Sequence, residues 1–327
     1  MMREVIVPVV YGLILFFAGM KLMENALHKL AGPLLIQGLN RATSSPWKGM
    51  LFSTVITALL QSSTAVTVLS MGLVNAGLLS FGQTLGIILG SNIGTCLTTE
   101  LISLQIGRFA WPLLAVCLAL WAFTVLLYEF GRPSHRPGRS PLLAWQYGSL
   151  AGAGFALVLG GIRTMQLTAP YLERTGVFSA FLEQAAHSPW WGFAAGACLT
   201  ALIHSSAAVI GMAISMAGAG ILPVEIGVTI VIGANVGTCV TALMASVGGT
   251  RAAAFVAWSH IALNAGGALL FMPLAGLLQA VSAWLSADPG AQIAHAQTLF
   301  NIACSLLALP LCYLPVWRKV DRNLHTA

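Results

Sequence analysis

The sequence predicts an all-α polytopic membrane protein built from two inverted-topology repeats, with re-entrant hairpins and broken helices. Three observations lead to this fold class: the composition, an internal duplication and the distribution of basic residues. Of the 327 residues, 57% are hydrophobic and only 7% are charged, whereas soluble globular proteins carry about 25% charged residues. This composition, with a mean hydropathy of +0.86, excludes an ordinary soluble enzyme, a nucleic-acid-binding protein and a disordered regulator.

Long apolar runs define the expected elements. The first run has no small-residue cleavage site and leads directly into further apolar segments, so it is interpreted as a retained helix and not as a signal peptide. The spans and the two tracts interrupted by polar residues are expected at 5–22, 49–107 (interrupted), 109–130, 142–162, 189–250 (interrupted), 252–280 and 293–316. Six cysteines lie within apolar surroundings without the spacing of a zinc site or a disulfide framework.

The two interrupted tracts are copies of one another. Residues 45–80 align without a gap to residues 188–223, at an offset of 143. The same offset pairs Gly-Ser-Asn-Ile-Gly-Thr-Cys at 90–96 with Gly-Ala-Asn-Val-Gly-Thr-Cys at 233–239. Chance does not preserve so long a register, so the chain is predicted to be an internal duplication.

The duplication predicts a division of the chain into four parts. Repeat 1 covers residues 1–130 and is followed by a cytoplasmic basic loop, 131–141. The inverted repeat 2 covers 142–280, and residues 281–327 add a further transmembrane helix with a short cytoplasmic tail. We expect no soluble domain beyond these parts.

The basic residues indicate that the repeats are inverted. If residues 21–48, 131–141, Arg251 and the C-terminal tail face the cytoplasm, eleven of the fifteen Lys and Arg residues lie on that side. Such a bias is the positive-inside signal of membrane proteins. It predicts a bacterial inner membrane protein with its N-terminus outside and its C-terminus in the cytoplasm.

A re-entrant hairpin is expected in each interrupted tract. The piece before Gln61 is about 15 residues long, or roughly 22 Å as a helix, against a hydrocarbon core of about 30 Å. We therefore expect a hairpin with its tip near residues 61–63, followed by one crossing helix broken around residues 90–95. Three full crossings remain an alternative, because periodicity does not distinguish them.

Polar residues at membrane depth concentrate at matched positions of the two copies. Gln61, Ser62, Ser63 and Thr64 correspond to His204, Ser205, Ser206 and Ala207, and Asn92, Gly94 and Thr95 correspond to Asn235, Gly237 and Thr238. Neutral oxygens at such breaks can coordinate a hard cation such as Na+, and helix N-terminal amides beside Ser hydroxyls suit an oxyanion. Each motif alone would fit simple helix packing. Their joint duplication instead predicts the binding region of a secondary transporter.

These paired motifs resemble those of the type II sodium–phosphate cotransporter family, specifically its bacterial members, over nearly the whole chain. The resemblance implies a membrane protein that binds inorganic phosphate and Na+ around the paired Gln-Ser-Ser tips. Na+ is then the coupling ion, with no covalent cofactor. The resemblance also implies a short form without the PhoU-like C-terminal domain that many bacterial members add.

The resemblance implies two sets of site residues and no catalytic residue. Phosphate is assigned to Gln61, Ser62, Ser63, Thr64, His204, Ser205 and Ser206, and Na+ to Ser63, Asn92, Thr95, Ser206, Asn235 and Thr238. Two positions depart from the family pattern. His204 stands where Gln is usual, and Ala207 stands where a third hydroxyl is usual. Because histidine side chains titrate near neutral pH, the coupling ion and stoichiometry are left open.

Other conspicuous polar residues receive structural interpretations. His260 and Asn264, one turn apart on a helix, are expected to bond a neighbouring helix. Glu225 is expected at the start of a helix near the membrane interface. Asn301 lies in a segment that resembles the family, in which Gln297 stands where a His is usual, and it is given a bond to a neighbouring helix in preference to a site role.

The leading functional hypothesis is Na+-coupled phosphate symport by alternating access. The partners are phosphate, Na+ and the lipid bilayer, without nucleic acid, and a homodimer is left open. The alternatives are a proton-coupled or other-oxyanion carrier, including phosphate export, and a channel or structural role. An intramembrane hydrolase using Ser205 and His204 is a remote alternative, since adjacent residues rarely give the required geometry and no Gly-x-Ser-x-Gly turn is present.

Overall fold

The computed structural model describes residues 2–42, 44–104, 106–130, 141–168, 171, 176–317 and 320, and these form helices without a β-strand. The α-helices are α1 (Met2–Ala42), α2 (Pro46–Leu60), α3 (Ser63–Asn75), α4 (Phe81–Ser103), α5 (Ala110–Phe130), α6 (Pro141–Gln166), α7 (Gly176–His187), α8 (Pro189–Ile203), α9 (Ser206–Gly218), α10 (Val224–Gly237), α11 (Cys239–Ser246), α12 (Arg251–Phe271), α13 (Ala275–Leu285) and α14 (Pro289–Ala308). Short 3-10 helices follow at Ile106–Phe109 and Leu309–Tyr313.

Within the part of the chain that the structure describes, seven helical segments are long and apolar enough to cross a membrane. They are Val5–Ala31, Phe81–Ser103, Ile106–Glu129, Leu142–Gln166, Val224–Ser246, Arg251–Phe271 and Pro289–Tyr313. The prediction of an all-α polytopic membrane protein is therefore confirmed. The predicted four-part division of the chain stays a prediction, and its basic loop lies outside the described residues except for residue 141.

The first span is longer than expected. The sequence predicts a span at 5–22 followed by a polar segment, but α1 continues without interruption to Ala42. Lys21 and Glu24 form an ion pair of 2.7 Å on this helix. Met23 and Ala26 are buried on its other face. The apolar face of α1 therefore continues beyond Lys21, and its burial explains why the helix also continues beyond this residue.

Two short helix pairs occupy the positions of the predicted hairpins. Only Gln61 and Ser62 separate α2 from α3, and only His204 and Ser205 separate α8 from α9. At 15 and 13 residues, each pair has helices of roughly 22 and 20 Å, shorter than a bilayer core of about 30 Å. The helix interruptions expected at 61–63 and at the matched positions are present.

Matched glycines hold the hairpins against the long helices. A Cβ added at Gly90 of α4 would lie 2.0 Å from the carbonyl oxygen of Met50 in α2. A Cβ added at Gly233 of α10 would lie 2.0 Å from the carbonyl oxygen of Phe193 in α8. The next matched glycines, one turn later, approach the neighbouring backbone in the same way. The duplication in sequence is thus repeated in atomic contacts.

The expected helix break around residues 90–95 is wrong for the first copy. α4 runs continuously from Phe81 to Ser103. In the second copy α10 and α11 are separated only by Thr238, which itself has right-handed helical angles of φ −59° and ψ −27°. The glycines lie where a neighbouring backbone needs room, so they permit close packing and do not break the helix.

The span expected at 252–280 is also divided. α12 ends at Phe271 and α13 begins at Ala275. Pro273 lies between them. A proline has no N–H for the helical hydrogen bond and its ring clashes with the carbonyl oxygen four residues earlier, which accounts for the interruption.

The helices form two compact units, each containing segments of both predicted repeats. Unit 1 comprises Met1–Leu35, Leu59–Gln61 and Gln105–Leu172, and unit 2 comprises Ile36–Ala58, Ser62–Leu104 and Glu173–Ala327. In unit 1, α1 packs closely on α6, and a Cβ at Gly19 would lie 2.5 Å from the carbonyl oxygen of Gly154. In unit 2, α10, α12 and α14 share an apolar core that includes Ile232, Phe271 and Phe300.

Candidate functional site

The two hairpin tips have the same backbone conformation. Gln61 and His204 lie in the left-handed region, with φ of 56° and 57°. The serines that follow, Ser62 and Ser205, are extended, with φ of −143° and −148°. A left-handed conformation costs a non-glycine residue about 1–3 kcal/mol and persists only where the surrounding structure holds it. Because the same conformation occurs at both tips, we interpret it as a conformation that the surrounding fold imposes in each copy.

Each tip serine caps the helix that follows it. The Oγ of Ser62 accepts a hydrogen bond from the amide three residues later at 3.3 Å, and the Oγ of Ser205 does the same at 3.2 Å. Ser63 and Thr64 then form the first turn of α3, and Ser206 begins α9. The predicted phosphate residues therefore lie at two helix N-termini, where backbone amides and the positive end of the helix dipole favour anions.

The predicted site residues differ in accessibility. His204 and Thr64 are exposed, Gln61 and Ser63 are half-buried, and Ser206 is buried. The side chain of His204 is thus accessible at its tip.

Asn264 of α12 joins the two predicted asparagine ligands. Its Oδ1 accepts a hydrogen bond of 2.8 Å from the Nδ2 of Asn92 in α4. Its Nδ2 donates a bond of 3.0 Å to the backbone oxygen of Asn235 in α10. The interhelical bond expected for Asn264 is therefore confirmed, and Asn92 and Asn235 lie close to each other at matched positions.

Thr95 and Thr238 make matched bonds to their own helices. The Oγ1 of each donates to the carbonyl oxygen four residues earlier, at 2.9 Å in both copies. A hydroxyl has one proton and two lone pairs. Once the proton is donated, the oxygen offers only acceptor capacity to a ligand.

Three of the predicted site residues line one polar cleft within unit 2. The cleft has a volume of about 210 Å³, including the part open to solvent, and is lined by Ser63, Thr64, Thr67 and Val68 of α3, by Thr238, Thr241 and Ala242 around α11, and by His260 of α12. The sequence prediction includes Ser63, Thr64 and Thr238 but misses Thr67, Thr241 and His260. Helical spacing could have found two of them, because residues three or four apart share a helix face.

His260 does not make the interhelical bond expected of it. The residue is 3% exposed, and among the described residues neither ring nitrogen has a hydrogen-bond partner. Gln297 of α14 is equally buried, but its Oε1 accepts a bond of 2.5 Å from the Oγ1 of Thr99. The prediction for this histidine is therefore wrong, whereas the side-chain oxygen of Gln297 is bonded to a neighbouring helix.

A further polar cluster joins α4 to α14. The Glu100 carboxylate lies 3.0 Å from the Nδ1 of His295 and accepts a 2.5 Å bond from the Oγ1 of Thr298. The Nδ2 of Asn301 donates to the Sγ of Cys96 at 3.4 Å, which is the expected bond to a neighbouring helix. Both contacts tie α14 to the first copy of the duplication.

Glu225 lies at the start of a helix, as the sequence predicts, and its place near the membrane interface stays a prediction. It is exposed in the first turn of α10, and its carboxylate accepts a bond of 2.6 Å from the Nε2 of Gln279. Among the described residues, no three His, Cys, Asp or Glu side chains form a group that could hold a metal ion.

Comparison with known proteins identifies a family. The family model described as Na+/Pi-cotransporter matches the chain twice, at residues 15–167 and 157–309, which confirms the internal duplication. "Uncharacterized protein YqeW" of Bacillus subtilis (strain 168) is 36% identical over 304 residues, covering 92% of this chain and 93% of that protein. No solved structure matches the chain.

Two further relatives have functional names. "Putative inorganic phosphate export protein YjbB" of Escherichia coli (strain K12) is 25% identical over 293 residues, covering 89% of this chain. The chain spans about half of that protein, 51% of its length. "Sodium-dependent phosphate transport protein 2A" of Rattus norvegicus is 33% identical over 104 residues, which are 30% of this chain and 16% of that protein.

Proposed function

Because the chain belongs to the Na+/Pi-cotransporter family, we propose that it is a secondary active transporter that moves inorganic phosphate together with Na+ by alternating access. The family is one of transporters, and the seven apolar spans make the chain a multi-pass membrane protein. The names of the Escherichia coli and rat relatives support phosphate as the substrate. The family name supports Na+ as the coupling ion.

The observation that carries the proposal is the matched pair of tips. Each tip combines a left-handed residue with a serine-capped helix N-terminus. Backbone amides and hydroxyls at such a terminus bind oxyanions without a permanent positive side chain. In this mechanism Ser62, Ser63 and Thr64 bind phosphate from one copy, and Ser205 and Ser206 bind it from the other.

The absence of a fixed cation from the predicted phosphate ligands makes the two substrates depend on each other. The predicted set contains no Lys or Arg, so bound Na+ and the helix dipoles offset the charge of phosphate. Each substrate then raises the affinity for the other by the same factor, as thermodynamic linkage requires. This mutual dependence couples the Na+ gradient to phosphate movement.

The proposed orientation follows from the basic residues. With the N-terminus outside a bacterial inner membrane and the C-terminus in the cytoplasm, most Lys and Arg residues face the cytoplasm. The two copies of the hairpin then enter the bilayer from opposite sides, which is the plan of carriers built from inverted repeats.

His204 supports one second candidate, a proton-coupled carrier. It is exposed at the tip position that Gln61 occupies in the other copy. Histidine changes charge in the physiological pH range, so it could link phosphate binding to a proton. The direction of transport is a separate matter, and the name of the Escherichia coli relative supports export as the alternative to uptake.

Labelled phosphate uptake into proteoliposomes tests the proposal. An inward Na+ gradient is compared with an inward K+ gradient of equal ionic strength. Accumulation that requires Na+ and disappears when the gradient is abolished is the expected result. Phosphate movement that is indifferent to Na+ but follows a pH gradient would replace Na+ coupling by proton coupling. No phosphate movement in folded protein would overturn phosphate as the substrate.

A further inference from the structure

The polar cleft of unit 2 contains a buried histidine to which the proposed mechanism gives no role. The imidazole of His260 lines the cleft, and neither of its nitrogens is bonded to another described residue. A buried polar atom left without a partner costs about 1–3 kcal/mol. A ligand in the cleft would remove this cost, so the side chain points to a binding site.

The hydroxyls of Thr238 and Thr241, at and after the start of α11, can only accept hydrogen bonds from a ligand in the cleft. The Oγ1 of Thr238 donates to the carbonyl oxygen of Ala234 at 2.9 Å, and the Oγ1 of Thr241 donates to the carbonyl oxygen of Thr238 at 2.7 Å. Their remaining capacity is that of acceptors. Oxyanions require donors, whereas Na+ is coordinated by neutral oxygens. These two hydroxyls therefore favour a cation.

The size and position of the cleft also favour a cation. Its interior has room for a particle of about one water molecule, which admits a dehydrated Na+ but not phosphate with its five heavy atoms. Ser63 and Thr67, four residues apart, line it from the side of α3. Side chains that carry a hydroxyl therefore line the cleft along one face of α3.

The structure contains a second place that corresponds to the cleft but differs from it. Cys239 and Cys96 occupy matched positions, and their Sγ atoms donate to the backbone oxygens of His260 and Gln297, at 3.7 and 3.8 Å. His260 therefore corresponds in space to Gln297. Each also lies four residues before an asparagine. One place has a glutamine whose Oε1 is bonded to Thr99, where the other has a histidine without a partner among the described residues.

Differences between matched residues explain why only one of the two corresponding places has the cleft. Ala242 corresponds to Thr99, so His260 lacks the hydroxyl that is bonded to Gln297 at the corresponding place. Thr67 corresponds to Ile210, whose side chain is apolar and fully buried. Thr64, which also lines the cleft, corresponds to Ala207. The counterpart thus has two hydroxyls fewer from the hairpin helix, and its additional hydroxyl, that of Thr99, is already bonded to Gln297.

We propose that the cleft is a Na+ site in which Thr67, Thr241 and His260 act together with the predicted ligands Ser63 and Thr238, and that the corresponding place formed by the matched residues is not an equivalent site. This inference rests on the proposed function and makes the cation binding asymmetric. His260 is a positioning residue: its nitrogens are without a partner in the part of the chain that the structure describes, and when Na+ binds, the unprotonated one accepts the proton of a ligand hydroxyl, whose lone pairs then point to the ion.

Thermal unfolding of the purified full-length protein, without phosphate, tests the site. Na+ is titrated against K+ at equal ionic strength, and Na+ alone is expected to raise the unfolding temperature. Thr67→Val should raise the Na+ concentration for a half-maximal shift about tenfold, as expected for one lost polar contact. Thr67→Ser should restore it. Ile210→Val, at the matched position, should leave it unchanged.

A double variant tests the role of His260 without opening a cavity. Ala242→Thr combined with His260→Gln copies the Thr99 and Gln297 pair of the corresponding place. The unfolding temperature in K+ should be at least that of the wild type, because the new pair forms a hydrogen bond where His260 has no partner among the described residues. The additional stabilisation by Na+ should be lost.

Two results would overturn the inference: no Na+-specific stabilisation of the wild type, or wild-type Na+ dependence in both Thr67→Val and the double variant. The cleft would then hold only water. Phosphate uptake by the same variants separates this failure from that of the proposed function. If uptake by the variants still requires Na+ at the half-saturating Na+ concentration of the wild type, the proposed site is contradicted but the coupling is not. If uptake by the wild type does not depend on Na+, the proposed coupling is contradicted.

Discussion

Gln61 and His204 occupy the same left-handed backbone position at the tips of the two hairpins, with φ of 56° and 57°. The change from Gln to His between the copies therefore alters the side chain and not the turn. The tip conformation is a property of the hairpin, and the chemistry presented there can vary independently.

Exchange of these two side chains tests whether His204 titrates during transport. Because both residues adopt the same conformation, His204→Gln should fold normally and reduce any change of phosphate uptake between about pH 6 and 8 that arises from an imidazole. Gln61→His is the matched variant and should increase that change. An unaltered pH profile in both variants would assign the titration to another group.

Loss of a tip serine should impair transport more than stability. Ser62→Ala or Ser205→Ala removes a helix cap worth about 1 kcal/mol and a hydroxyl proposed to bind phosphate, so uptake should fall about tenfold or more. Ser80→Ala is the control. Its Oγ caps α4 with the same 3.3 Å bond as that of Ser62, but it lies at the opposite end of α3. Equal losses of uptake in all three variants would mean that capping alone matters.

The glycine contacts predict a large difference between two Gly→Ala variants. Gly233→Ala places a Cβ 2.0 Å from the Phe193 carbonyl oxygen, so it should lower the free energy of unfolding by about 1–3 kcal/mol or more. A Cβ added at Gly72 of α3 would meet no neighbouring atom within 4 Å. Gly72→Ala should therefore raise the free energy of unfolding by about 0.5–1 kcal/mol. Unfolding in detergent measures both. Similar stability of the two variants would contradict the close contact between α8 and α10.

Labelling of matched positions tests the inverted arrangement. Lys48 and Trp191 are exposed and differ by the offset of 143. In a Cys198→Ala background, Lys48→Cys should react with an impermeant thiol reagent only from the cytoplasmic side, and Trp191→Cys only from outside. Reaction of both from one side would show parallel repeats.

Much of the fold could be predicted because its signals are local or repeated. Composition and run length give the spans, and the offset of 143 gives the matched hairpins. The predicted break at 90–95 was wrong for a non-local reason: glycine weakens an isolated helix, but at Gly90 it admits the backbone of α2. A helix with glycines on a packed face and a broken helix have the same local sequence.

The candidate site was predicted only in part. Ser63, Thr64 and Thr238 belong to the duplicated motifs and do meet in one cleft. Their site roles remain a prediction, as do those of the tips. Thr67, Thr241 and His260 lie outside the motifs, and His260 comes from a helix that follows the second interrupted tract. The motif pattern is repeated, whereas the cleft depends on residues that differ between the copies.

The sequence by itself determined the membrane environment, the duplication, the hairpin tips and the family resemblance, because each depends on residues near one another in the chain or at a fixed offset. The tertiary structure decided which polar side chains are satisfied. Asn264 joins α4 and α10, Thr99 satisfies Gln297, and His260 is left without a partner among the described residues. A hydrogen bond needs donor and acceptor within about 3 Å, and only the packing of helices distant in sequence sets that separation.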